Sequence, residues 1–272
     1  IVNNPQTGDF VEIIIEEGKY TLLSGDREYS GSEQAIKNAI GMINTLPTES
    51  VVATKSDKWE EYKVDEAQAL HIELYEGKSL TGELFVGKFD FKQIPATQPG
   101  RQPQTKMTSY ARVADDDNVY AVNGLLRSNF QGGPTPFRNR TVFYSEDPSM
   151  DVTGVTISGA NRQIKLERNG DTWAVNGIPA DSAKTDQYIR QLSRLRSSTF
   201  MDEVDLSNMT PVATLVVEGN SFSPVTIHAY PSADTLVNYF ITSSMNPGSV
   251  MNGAKGNIFD KAFVNEGAFL IE

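Results

Sequence analysis

Two imidazoles, His71 and His228, are the chain's side chains whose ordinary pKa lies nearest neutrality, the type suited to proton transfer and metal ligation. His71 stands two residues before Glu73 in a stretch that alternates as a strand does, so both side chains leave one face. That pair could hold a metal ion if a third ligand came from elsewhere. An exposed strand face is the simpler reading and the preferred one. Asp115-Asp116-Asp117 offers oxygens for calcium but lacks the spaced ligands and distal glutamate of a calcium loop. A solvated hairpin turn suits it better. Glu60-Glu61 and Asp65-Glu66 are carboxylate pairs, and a glycosidase needs two such groups about 5–10 Å apart in one cleft. An acidic chain has many such pairs by chance. There is no G-x-S-x-G elbow, no G-x-x-x-x-G-K-[ST] loop and no H-E-x-x-H. The sequence therefore assigns no catalytic residue, no cofactor-binding residue, no metal ligand and no cofactor. Tyr62, Tyr110, Tyr120, Tyr230, Tyr239 and Phe240 are candidates for a binding face. The competing expectation is that most of them fill cores between sheet and helix.

Composition narrows the classes. The chain has 272 residues, 39% of them hydrophobic, enough for one large or two ordinary domains with packed cores. Net charge is -11, with 15 basic and 20 acidic residues through Ser145 and 9 and 15 beyond it. Neither half has a basic arm, which argues against nucleic acid as a partner. Without cysteine there is no disulfide and no thiolate metal site. No apolar run approaches the roughly 20 residues that span a bilayer. The first residue is Ile1, so a leader or anchor ahead of it is an expectation that this sequence does not test.

The elements that must position these side chains recur. From Val152 to Leu195 the order is strand, hairpin, strand, turn, helix. Val155, Ile157, Ile164 and Leu166 alternate, Asn169-Gly170 turns the chain, and Trp173 and Val175 resume. Asp181 or Ser182 caps a helix carrying Tyr188, Ile189, Leu192 and Leu195 on one face. The first part repeats this order with Phe10–Ile15, Tyr20–Leu23, Arg27–Tyr29, a helix capped by Ser32, and Ile36, Ile40, Ile43 and Leu46 along it up to Pro47. Hairpins follow in each half: Ala69–Glu73 with Leu80–Val86, and Ala213–Val217 with Phe222–Ala229. Ile1–Asp9 reads as a loose lead-in. Phe91–Met107 reads as a long Pro/Gln/Thr-rich loop, mobile rather than functional. Arg140–Tyr144 and Ala268–Ile271 read as strand-like tails. The predicted fold class is α+β: two tandem similar domains, each an antiparallel sheet with one main helix on one face. The boundaries are 1–131 for the first repeat, 132–145 for a linker and connecting strand, and 146–272 for the second.

The layout resembles the family called domain of unknown function 4340, in two tandem copies. The residues that carry the likeness are Trp173-Ala174-Val175-Asn176-Gly177 with Ala180-Asp181, Trp59-Glu60-Glu61-Tyr62-Lys63-Val64-Asp65, Tyr110-Ala111-Arg112-Val113, Val119-Tyr120-Ala121-Val122 and Phe137-Arg138-Asn139-Arg140. The chain departs from the pattern at Lys63, where the family tends to have glycine, and at Tyr29, where the second copy has Trp173. The resemblance implies a bacterial envelope protein, often of Bacteroidetes type, behind a membrane anchor or lipoprotein signal, and in some cases beside gliding-motility-type transporter components. It implies no catalytic residues. In such a protein the sequons at Asn139 and Asn208 mean little.

The expectation is a non-catalytic, membrane-anchored, periplasmic or outer-envelope protein, acting as an interaction or scaffold module for other envelope or membrane proteins. It would touch the membrane only through a segment absent from this chain. The alternative is a glycan- or small-ligand-binding module at a groove between the domains, with a hydrolase third. Two or three carboxylates converging on His71 or His228 would revive the hydrolase.

Overall fold

The computed structural model describes residues 1–94, 103–159 and 162–271. The fold is α+β and dominated by antiparallel sheets. The chain divides into two compact units, Ile1–Arg138 and Asn139–Glu272.

In the first unit the strands are β1 (Val2–Asn4), β2 (Asp9–Glu16), β3 (Lys19–Ser24), β4 (Arg27–Ser30), β5 (Thr48–Ala53), β6 (Leu70–Glu76), β7 (Ser79–Ile94), β8 (Gln104–Val113) and β9 (Val119–Asn123). Helix α1 (Glu33–Asn44) follows β4, and the single turn α2 (Trp59–Tyr62) follows β5. The nine strands form one sheet in the order β4-β3-β2-β1-β6-β7-β8-β9-β5. Alternation decides its buried face: Val11, Leu22, Leu70, Ile72, Leu84, Val86 and Ala111 point inward and meet Ile36 and Ala39 of α1. The Ser32 hydroxyl caps α1 by accepting from the Ala35 amide at 3.3 Å.

The opposite face is covered in part by α2 and the chain after it, and Gly87 makes this possible. A Cβ there would drive into the Tyr62 carbonyl oxygen and the Val64 side chain, so only glycine lets that backbone cross β7.

The second unit contains β10 (Thr141–Tyr144), α3 (Pro148–Asp151), β11 (Val152–Gly159), β12 (Arg162–Asn169), β13 (Thr172–Val175), β14 (Ile178–Pro179), α4 (Ser182–Leu192), β15 (Arg194–Arg196), β16 (Ala213–Gly219), β17 (Val225–Pro231), β18 (Tyr239–Ser243), β19 (Met251–Asn252) and α5 (Ile258–Ala262). Eight strands form a sheet in the order β14-β13-β12-β11-β16-β17-β18-β19, and β10 pairs with β15. Asp181, not Ser182, caps α4 by accepting from the Lys184 amide at 3.1 Å. The Ser182 hydroxyl instead accepts from the Trp173 amide at 3.2 Å. Tyr188, Ile189 and Leu192 of α4 are buried against Val155, Ile157, Leu166 and Trp173. Each such buried side chain contributes on the order of 1.5–3 kcal/mol. The Trp173 indole donates to Asp186 at 2.8 Å, which satisfies its one polar atom.

Several expectations are corrected. The lead-in is not loose: Val2 to Asn4 forms β1, which lies between β2 and β6 inside the sheet. Leu195 leaves the helix, which ends at Leu192, and joins β15. Arg140–Tyr144 does not close the first unit, because β10 pairs with β15 of the second. The tail at Ala268 is part of a short 3-10 turn, Glu266–Phe269, that buries Phe269, rather than a strand. Within 132–145, Phe137 lies in the first core and Val142 and Phe143 in the second. Much of the expected long loop is strand, with Phe91↔Met107, Lys92↔Lys106, Gln93↔Thr105 and Ile94↔Gln104 in register. The rest of that loop lies outside the described residues. Among the described residues no helix is long and apolar enough to cross a membrane.

Candidate functional site

His71 and Glu73 leave the outer face of β6, as alternation requires, and β7 brings a third group to them. Glu83 lies directly opposite Glu73 in the ladder. A nitrogen of His71 and one carboxylate oxygen from each glutamate all lie within 4.8 Å of one another. The His71 Nε2 and Glu83 Oε1 are 2.6 Å apart, a hydrogen bond between partly buried groups. Glu83 is the residue that sequence reasoning missed, because its place depends on a bulge. Near the turn the pairs are Glu76↔Ser79 and Tyr75↔Leu80; the register then shifts to Leu74↔Gly82 and Glu73↔Glu83. In an unshifted ladder Glu83 would oppose Ile72 and point into the core.

The His71 ring is stacked on Phe85, with centroids 4.5 Å apart and planes at 10°. The Arg112 guanidinium lies 3.9 Å from the Phe85 ring centre and 3.8 Å from that of Trp59. His71, Phe85, Arg112 and Trp59 therefore form one column across β6, β7, β8 and α2. Arg112 is only 4% exposed and donates through Nε to the Val64 carbonyl at 3.3 Å. Burial pulls its pKa below the usual guanidinium value, while Glu66, Glu83, Asp117 and Asp65 act in the other direction. Beside this column Tyr62 and Tyr110 pack at 4.7 Å, with the Lys88 ammonium 5.3 Å from the Tyr62 ring centre and 5.7 Å from that of Tyr110.

The other candidates do not gather here. His228 accepts from or donates to the Thr214 hydroxyl at 3.0 Å and packs edge-on to Tyr230 in the second unit. Asp115-Asp116-Asp117 forms the turn between β8 and β9, where Asp116 accepts from Tyr120 at 2.6 Å and from the Asn118 amide at 2.9 Å. Those bonds, the Tyr120 one foremost, hold the Asp116 pKa below the ordinary carboxylate value. Glu61 pairs with Lys58 at 2.9 Å, and Asp65 accepts from the Ala67 amide and the Gln68 side chain. All six aromatics are partly buried, and Tyr239 packs against the second core.

A hollow of about 610 Å³ lies in the first unit, bordered by Ile13, Ile36, Ile40, Ile43, Ile72 and Tyr75. Glu12, Glu16, Glu73 and Lys78 also border it, so aliphatic and charged side chains share its walls.

These features define a sheet-dominated α+β protein with a histidine–carboxylate cluster on an open sheet face. The family model described as domain of unknown function (DUF4340) matches residues 23–212, and the chain belongs to that family. The match is one span, from within β3 to the residue before β16. No curated protein matches the chain. No solved structure matches it.

Proposed function

We propose that the chain is a non-catalytic interaction module of the cell envelope. A segment outside this sequence holds it at a membrane on the periplasmic or outer side. There it serves as a scaffold for other envelope or membrane proteins, alongside a transporter or gliding-type complex. The observation that carries this reading is the arm formed by β7 and β8. β6 pairs with β7 only as far as Leu70↔Val86, and β9 pairs with β8 only from Thr108↔Asn123. Beyond those points, among the described residues, β7 and β8 pair as strands only with each other, tied to the rest of the unit by the Gly124 amide donating to the Met107 carbonyl at 2.8 Å and by Lys106–Glu49 at 2.7 Å; a lone two-stranded ribbon is marginally stable in water. Yet the arm bears exposed Phe89, Phe91 and Ile94, with Phe91 62% exposed and its ring 5.1 Å from that of Phe89. Apolar side chains gathered on such a ribbon favour burial by a partner.

The same proposal holds that the two units are copies of one block. In support, β2-β3-β4 and then α1 follow the same order as β11-β12-β13 and then α4. The runs β6-β7-β8-β9 and β16-β17-β18-β19 are each laid down in adjacent order. The units differ at β1, which sits between β2 and β6 whereas β11 pairs directly with β16; at β5, which pairs with β9 in the first sheet; and at β14 and β15, which pair with β13 and β10 in the second.

The test is a photo-crosslinking residue at Phe91 of the full-length protein in its own cells, with the exposed Leu236 position as control. A discrete adduct with a membrane or envelope protein from position 91 alone is expected. No adduct, or equal capture from both positions, overturns the reading.

A hydrolase is the second reading, favoured by the convergence of Glu73 and Glu83 on His71. Against it, the His71 Nε2 faces a carboxylate and not a nucleophilic hydroxyl. Turnover of an ester or phosphodiester that disappears in His71→Gln would establish it.

A further inference from the structure

We propose that His71, Glu73 and Glu83 bind one divalent transition ion of the zinc or manganese class, with water completing its shell. This does not rest on the interaction reading, because a module with or without a partner carries the same cluster.

The first ground is electrostatic. Glu73 and Glu83 are direct cross-strand neighbours, and like charges so placed destabilise a sheet. His71 hydrogen-bonds Glu83 at 2.6 Å, and a divalent cation would neutralise both carboxylates at once. The chain as a whole, at -11, gives a cation a favourable field.

The second ground is preorganisation. All three ligands come from paired strands, not from a loop. The His71 ring is held face to face with Phe85, whose other neighbour is the buried Arg112.

The third ground is the donor set. One imidazole nitrogen with two carboxylates suits zinc, manganese or cobalt, whereas calcium takes oxygen alone and copper(I) prefers sulfur. Three protein ligands leave a position for water. In a tetrahedral site with bonds of about 2.0–2.1 Å the ligand atoms stand about 3.4 Å apart. The three atoms here already lie within 4.8 Å of one another, and a bound ion would replace the His71–Glu83 hydrogen bond. On the outer face of the second sheet, the pairs Val216↔Thr226 and Thr214↔His228 supply no carboxylate.

The experiment titrates the tag-free, chelator-stripped full chain with zinc chloride in a calorimeter. One equivalent is expected to bind. His71→Gln and Glu83→Gln should each weaken binding more than about 100-fold, beyond the roughly 10–100-fold that loss of an outer partner costs. His228→Gln should leave it unchanged. NMR of the two imidazoles gives a readout that no variant can confuse: zinc should move the His71 ring resonances and not those of His228. Less than about one-tenth of an equivalent bound, unchanged affinity in His71→Gln, or a shift at His228 alone overturns the proposal. So does calcium that binds as tightly as zinc and is indifferent to His71→Gln, since that describes a carboxylate site without the imidazole.

Discussion

Tyr110 holds its proton unusually late. Burial first, then the bond its hydroxyl donates to Asp90 at 2.8 Å, push its pKa up from 10.0 to about 12. The folded chain thus keeps this proton more tightly than the unfolded chain. The stabilisation is fully present below pH 10 and is lost as pH rises towards 12. Carbon-13 labelling of the tyrosine rings should show Tyr110 ionising near the top of that window, and Asp90→Asn should bring it down. Ionisation near 10 in the intact chain would contradict the packing. Arg112 is the other residue to test. Arg112→Met keeps much of the stem but loses the charge between Trp59 and Phe85, and a desolvated cation–π contact is worth about 2 kcal/mol. Urea unfolding followed by tryptophan fluorescence should show a loss of about that size. Sequence placed Arg112 only within a strand; that its charge lies between two rings depends on contacts from three separate elements.

At the scale of elements, helices and hairpins were legible. The Ser32 and Asp181 caps, the apolar faces of α1 and α4 and the β11–β12 hairpin follow from local chemistry: a short hydroxyl or carboxylate before a 3.6-residue rhythm, or alternation around a turn. The arm of β7 and β8 was not legible, because a Pro/Gln/Thr-rich composition conceals strand pairing that the two flanks impose on each other. Gly87 marks where the backbone after α2 crosses the sheet. Gly87→Ala should destabilise by about 1–3 kcal/mol, the usual range for overpacking, since the obstacle is backbone and cannot rotate aside. In the second unit Leu192→Ala should remove about 2–5 kcal/mol by leaving a cavity under α4. Denaturant midpoints measure both, and a change within about 0.5 kcal/mol, as surface substitutions give, would refute either claim.

For the whole molecule, the excess of acidic residues makes self-repulsion a standing cost. Screening shortens from a Debye length of about 30 Å at 0.01 M salt to about 8 Å at 0.15 M. The thermal midpoint should therefore rise with sodium chloride over that range. A fall would mean that local pairs such as Lys106–Glu49, at 2.7 Å, outweigh the net charge of -11.

By itself the sequence determined the α+β class, the antiparallel hairpins, the two capped helices and the family likeness. Each of these follows from local periodicity, turn chemistry and capping, which operate over a few residues. Tertiary structure alone decided which side chains meet. One extra residue in the β6–β7 ladder turns Glu83 from the core face to the face of His71. A displaced register reverses every side chain beyond it, and no local pattern announces where a strand will take that extra step.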